Sequence, residues 1–139
     1  MHWFVDGNNV MGAGADGWWN DPVAAAERLT QAIAEWVRGH DDPVTVVFDG
    51  RPDRRLSDLA GGTLAVEFAT RRGRNAADDR IVGLVEEAFA AEPALRVVTS
   101  DKGLVARLPP GVAVEGAGAF RTRLGLAESA SRGRPRRRR

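Results

Sequence analysis

Three short, mostly apolar runs that end at aspartate-bearing turns constrain this chain more than any other feature. His2–Val5 (HWFV) runs into Asp6 and Gly7, Val44–Phe48 (VTVVF) into Asp49 and Gly50, and Leu95–Thr99 (LRVVT) into Ser100 and Asp101. Runs that stay apolar instead of alternating with polar residues predict strands covered on both faces, as in a parallel sheet held between helices. Leu64–Phe68 (LAVEF) alternates, which predicts another strand near an edge, and Val112–Val114 fits a short last strand.

Between these runs the period changes from strand to helix. Asp21 and Pro22 read as an N-cap and a first-turn proline, and Ala26, Leu29, Ile33 and Trp36 follow at helical spacing, predicting a helix over Pro22–Arg38. Ile81, Val82, Val85 and Phe89 predict a second long helix over Ala76–Ala90, with Asn75 as its cap. Shorter helical segments are expected at Leu56–Leu59 and Lys102–Leu108, and loops at Gly12–Asn20 and at the basic stretch Arg71–Asn75. Strands alternating with helices in this way predict an α/β fold: a three-layer α/β/α sandwich with a mainly parallel central sheet built from right-handed βαβ units.

The length of 139 residues suits one such domain, expected over residues 1–126. Residues 127–139 (AESASRGRPRRRR) have no large apolar anchor and are expected to form a disordered Arg-rich tail. Its six arginines and Glu128 give a surplus of five positive charges, which against the whole chain's +1 leaves the body at −4. Cysteine is absent, excluding a disulfide framework, a thiolate metal site and a cysteine nucleophile. The start, MHWFVDG, lacks a basic segment followed by a long apolar run, and no apolar stretch reaches the roughly 18 residues of a membrane span. A cytoplasmic protein without membrane contact is expected, with monomer and homodimer both open.

Asp6, Asp49 and Asp101 all end strands of a parallel sheet, where binding sites form beyond the carboxyl ends. Asp78 joins them from a helix: it precedes Ile81, Val82 and Val85 by three, four and seven residues, on the sheet-facing side, whereas Asp79 aligns with Gly83 and Glu86. Singly, each acid has an ordinary structural role, as a helix cap, a first-turn acid or part of an Asp-Gly turn. Jointly they would repel one another unless a cation neutralised them. Oxygen ligands without sulfur favour Mg²⁺ or Mn²⁺, ions suited to phosphodiester hydrolysis. Asn9, three residues after Asp6, can orient a carboxylate or a metal-bound water, or serve as a turn residue, and Asn8 competes for either role. Asp16, Asp21, Asp53 and Asp58 read as caps or solvated charges.

Taken in order, FVDGNNVMG, VVFDG, AADDRIV and VVTSDKGL resemble the NYN domain of the PIN-like nuclease superfamily, in its YacP-like branch, over roughly Trp3–Arg121. The resemblance implies a PIN-like Rossmannoid fold and a divalent-metal-dependent ribonuclease, cutting as an endoribonuclease. Asp6 and Asn9 match the family's DGxN motif, Asp78 its helix acid, Asp101 the acid after the late strand, and Asp49 its FDG motif. On this basis Asp6, Asp49, Asp78 and Asp101 are the expected catalytic and metal-holding residues. Arg80 departs from the family, standing where many relatives carry an aromatic or apolar residue.

RNA is the expected partner. Arg71, Arg72 and Arg74, just before the helix of Asp78, can grip flanking phosphates, as can Arg51, Arg54 and Arg55; either group can equally be a solvated charge run. Trp18 is the expected stacking residue for an unpaired base, with one of Trp18 and Trp19 buried and the other available. The tail can add nonspecific RNA affinity, contact ribosomes or hold an acidic partner. A haloacid-dehalogenase-type phosphatase also uses strand-end aspartates, but it needs a second Asp where Asn8 stands and an acidic pair after, not before, its Thr/Ser and Lys motifs. A non-catalytic RNA-binding module of the same fold is the remaining alternative.

Overall fold

The computed structural model describes residues 1–14, 18–70, 76–92 and 94–126. Five strands, β1 (His2–Asp6), β2 (Val44–Asp49), β3 (Leu64–Ala69), β4 (Leu95–Val98) and β5 (Ala113–Glu115), form one sheet in the order β3-β2-β1-β4-β5. All four strand pairings are parallel. The expected α/β/α sandwich is therefore present with a wholly parallel sheet, and β3 lies at an edge, as its alternation predicts.

Alternating side chains divide the core into two layers. Trp3 and Val5 of β1 and Val44, Val46 and Phe48 of β2 pack with α1 (Gly7–Gly12), α2 (Pro22–Val37), α3 (Arg54–Ser57) and α6 (Ala117–Arg123). Phe4, Val47 and Val97 face the opposite layer, against Ile81, Val82 and Val85 of α4 (Ala76–Ala91) and Leu104 of α5 (Lys102–Ala106). Asp21 caps α2 by accepting the Ala24 amide at 3.1 Å, ahead of Pro22. Asp53 likewise accepts the Arg55 and Leu56 amides of α3. None of the described helices is long and apolar enough to cross a membrane.

Two helices depart from the sequence reading. A single turn and a half, α1, follows β1 directly where DGNN reads as a turn, and only a 3₁₀ turn at Trp18–Asn20 interrupts the loop beyond it. Helix α6 follows β5 through a segment poor in large apolar residues, anchored by the fully buried Phe120. Arg71, Arg72, Arg74 and Asn75, the tail and Asp16 lie outside the described residues. The acceptor found at the start of α4 comes from another element: Asp49 Oδ1 takes the Ala77 amide at 3.1 Å.

The strand order fixes where a site can form. The chain leaves β1 for β2 and β3 on one side, then crosses back through α4 to β4 on the other side of β1. The reversal lies between β1 and β4, and crevices at such a switch point open beyond the carboxyl ends of the strands.

Candidate active site

Asp6 and Asp101 flank that crevice. The register pairs Val5 with Val98, so Thr99 stands next to Asp6 at the strand ends. Its hydroxyl donates to Asp6 Oδ2 at 2.9 Å and accepts the Asp101 amide at 3.1 Å, joining the two acids through one buried side chain. Asp101 Oδ1 accepts the Gly103 and Leu104 amides at the start of α5, so the residue caps a helix while standing at the crevice. Asp49 ends β2 and spends Oδ1 on the Ala77 amide, which ties the first turn of α4, and Asp78 with it, to the sheet.

Asp6 is only 4% exposed. Burial pushes its carboxyl up to about 6; the Thr99 hydroxyl and the Asn9 backbone amide oppose the rise, while the charges of Asp78 and Asp101 add to it. Asp78 is likewise raised, first by burial and then by Asp101 and Asp49, with Arg107 opposing. Charges that influence one another in this way are grouped: the structure brings Asp6, Asp49, Asp78 and Asp101 to one end of the sheet. Asp79 is directed elsewhere, into an ion pair with Arg107 at 2.8 Å.

The two asparagines after Asp6 bind the neighbouring strands. Asn8 Oδ1 accepts the Asp49 amide at 2.8 Å, and Asn9 Oδ1 accepts the Ser100 amide at 2.7 Å. Since β1 lies between β2 and β4, consecutive side chains of α1 fasten the acid-bearing ends of all three strands together. Thr99 is a positioning residue that the sequence does not single out, and Asn8 works beside Asn9 where one of the two was expected. Their one local signal is a polar residue directly beside a strand-end acid, a pattern that ordinary turns share.

Among the other expected residues, Arg51 is exposed and has no ion pair among the described residues, while Arg55 lies near Glu27 and Asp53. Arg80 pairs with Glu67 of β3 at 2.7 Å. Of the tryptophan pair, Trp18 is half-buried against the core and Trp19 is 60% exposed, so the free ring belongs to Trp19 instead of Trp18. A groove of about 440 Å³ between β3 and α4 carries Glu67, Asp79 and Arg80. Its charges are matched in the pairs just named, and none of the four converging acids lines it.

The hard carboxylate oxygens, the lack of sulfur and the mutual repulsion that adds to the effect of burial at Asp6 and Asp78 fit a divalent cation of the Mg²⁺ or Mn²⁺ kind. Among the described residues no group of three or more acids or histidines is drawn together closely enough to hold an ion as it stands.

The YacP-like NYN domain family matches residues 3–121. No protein of curated function matches the chain. Two crystal structures of Rae1 (YacP) from Bacillus subtilis share its fold with a TM-score of 0.67 each. The unmutated protein is 21% identical over 90% of this chain and 74% of its own. A point mutant of it is 24% identical over 89% and 74% respectively. At these identities the likeness is one of fold.

Proposed function

Because this chain belongs to the YacP-like NYN domain family, whose fold is nuclease-like, we propose that it is a divalent-metal-dependent endoribonuclease that hydrolyses RNA phosphodiester bonds at Asp6, Asp49, Asp78 and Asp101. The observation that supports this reading is that Asp6, Asp49, Asp78 and Asp101 stand at the carboxyl end of one parallel sheet, around the end of β1, near enough for the charges of Asp101 and Asp49 to act on Asp78 and those of Asp78 and Asp101 on Asp6.

A bound Mg²⁺ or Mn²⁺ would supply charge neutralisation and Lewis acidity at a phosphoryl oxygen. The chain's own residues do the positioning. Thr99 fixes one oxygen of Asp6 by hydrogen bonding. Asp49 and Asp101 each commit Oδ1 to backbone amides, so each carboxylate is held in one orientation with Oδ2 available. Asn9 sets the distance between the ends of β1 and β4 through Ser100. In the metal-free state the elevated Asp6 and Asp78 carboxyls hold protons more readily than ordinary acids, and a cation would displace those protons.

Purified protein assayed on unstructured and structured RNA with Mg²⁺ or Mn²⁺ tests the proposal. Metal-dependent cleavage is expected, reduced at least a hundredfold in Asp6→Asn and Asp101→Asn. Equal cleavage by wild type and variants, or none by any of them, overturns it; RNA binding without cleavage would establish the non-catalytic module instead.

A further inference from the structure

A second recess adjoins the acids. It has a volume of about 160 Å³ and lies between α1, the start of α2, α3 and the ends of β2 and β3. Met11, Phe48 and Leu56 form its floor, and Val23, 41% exposed, and the half-buried Phe68 supply its more accessible wall. At the rim stand Asn8 and Asp49, the hydrogen-bonded pair that also belongs to the acid cluster, together with Arg51. The recess thus meets the proposed catalytic site at Asn8 and Asp49, and it is apolar within and polar at that side.

Its dimensions and chemistry select its occupant. At about 160 Å³ it falls well below the several hundred Å³ of pockets for drug-sized ligands and suits a single ring system. Its floor and wall offer aromatic and thioether surface, on which flat π-systems pack well. Arg51, exposed and without an ion pair among the described residues, places an uncommitted cation beside it. A ring carried on a phosphate fits both parts, with the ring against Phe68 and Met11 and the phosphate towards Arg51.

We propose that this recess, bounded by Met11, Phe48 and Phe68 with Arg51 at its rim, receives one unpaired RNA nucleobase next to the phosphodiester held at the acid cluster. The inference rests on the ribonuclease reading, and it adds a position at which the RNA must present a free base. Base stacking of this kind tolerates any base identity but requires a base to be there. Double-stranded RNA, whose bases are stacked and paired, would be a poor substrate.

Two measurements separate this proposal from the reading it rests on. In the first, an abasic nucleotide is walked through a short unstructured RNA around the cleaved bond. One position is expected to lower kcat/KM about tenfold or more, the effect of a lost base stack. In Val23→Trp, where an exposed wall residue is enlarged to fill the recess, intact RNA should be cut about as slowly as the abasic one, with no further abasic penalty. In the second, the metal-free protein carries methyl-labelled methionine, and nucleoside monophosphates are titrated in. With only Met1 and Met11 in the chain, a shift of the Met11 methyl that is absent in Val23→Trp reports occupancy without needing cleavage. Cleavage with no position-dependent abasic penalty, or with a penalty that persists unchanged in Val23→Trp, overturns the pocket and leaves the ribonuclease reading intact. A Met11 shift in a protein that cuts nothing supports the pocket and overturns the ribonuclease reading.

Discussion

In the metal-free protein at neutral pH, Asp6 is a burden on folding, because its carboxyl titrates at about 6 in the folded state against an ordinary 3.8. Between those values the folded chain holds the proton more often than the unfolded chain. Stability therefore falls as pH rises from about 4 to about 6 and stays lowered above that window. Asp6→Asn removes the charge and keeps an oxygen for the Thr99 hydroxyl. The variant is expected to exceed wild type by up to about 3 kcal/mol in urea unfolding at pH 7.5, with the gap closing below about pH 4. A variant no more stable than wild type at pH 7.5 would refute this. Gly7, the next residue, shows the opposite sensitivity: a Cβ there would lie 2.6 Å from the Phe48 ring and 2.8 Å from the Val47 carbonyl oxygen. Since the carbonyl belongs to the sheet and cannot yield, Gly7→Ala is expected to cost about 1–3 kcal/mol through overpacking. An unchanged urea midpoint would show that Phe48 has room to move.

Among the elements, α1 has an influence out of proportion to its six residues. It begins at the end of the central strand and sends Asn8 to β2 and Asn9 to β4, so the spacing of the acids depends on one short helix. Asn9→Ala would leave the Ser100 amide without its side-chain acceptor, a loss of about 1–3 kcal/mol if the amide finds no water. Because Ser100 precedes Asp101, the functional effect should exceed the structural one. Cleavage is expected to drop at least tenfold in kcat with RNA affinity within about threefold of wild type, and Asn9→Asp should not restore it, since a carboxylate adds charge to an already repulsive group. Equal losses in affinity and kcat would point to a general loosening of the domain. Helix α4 is governed in the same way, since Asp49 on β2 accepts the amide of Ala77, the residue before Asp78.

At the scale of the whole molecule, charge is unevenly divided. The body over residues 1–126 carries −4, while the last thirteen residues hold six arginines and one glutamate. On the ribonuclease proposal, an acidic body with acids in its cleft would repel phosphate at long range, and a basic tail would be a means of capturing RNA before the cleft engages it. Deleting residues 129–139 removes all six of those arginines. The deletion is expected to weaken RNA binding and to flatten the plot of log K against log salt by up to about 4, at roughly 0.7 for each single-strand phosphate that the tail would otherwise neutralise. Cleavage at saturating RNA should change little. An unaltered salt slope would show that the tail serves another partner.

The fold class and the outline of the site could be read from the chain because both are written in local patterns. Apolar runs set the strands, helical spacing set α2 and α4, and aspartates at the run ends marked the crevice. The expectation that Asp78 and Asp79 point different ways followed from periodicity, and Asp79 lies in an ion pair with Arg107. What the chain could not disclose are the contacts that close over long sequence separations. Thr99 reaches Asp6 across 93 residues, Asn9 reaches Ser100 across 91 and Asn8 reaches Asp49 across 41. Such pairings depend on strand order and register, which no local pattern encodes. For the same reason α6 went unforeseen, being held by the burial of Phe120, and so did the exposure of Trp19 in place of Trp18. The sequence by itself determined which acids the molecule has at its strand ends. Only the tertiary structure decided how they are oriented, how far burial raises Asp6, and that an apolar recess lies beside them.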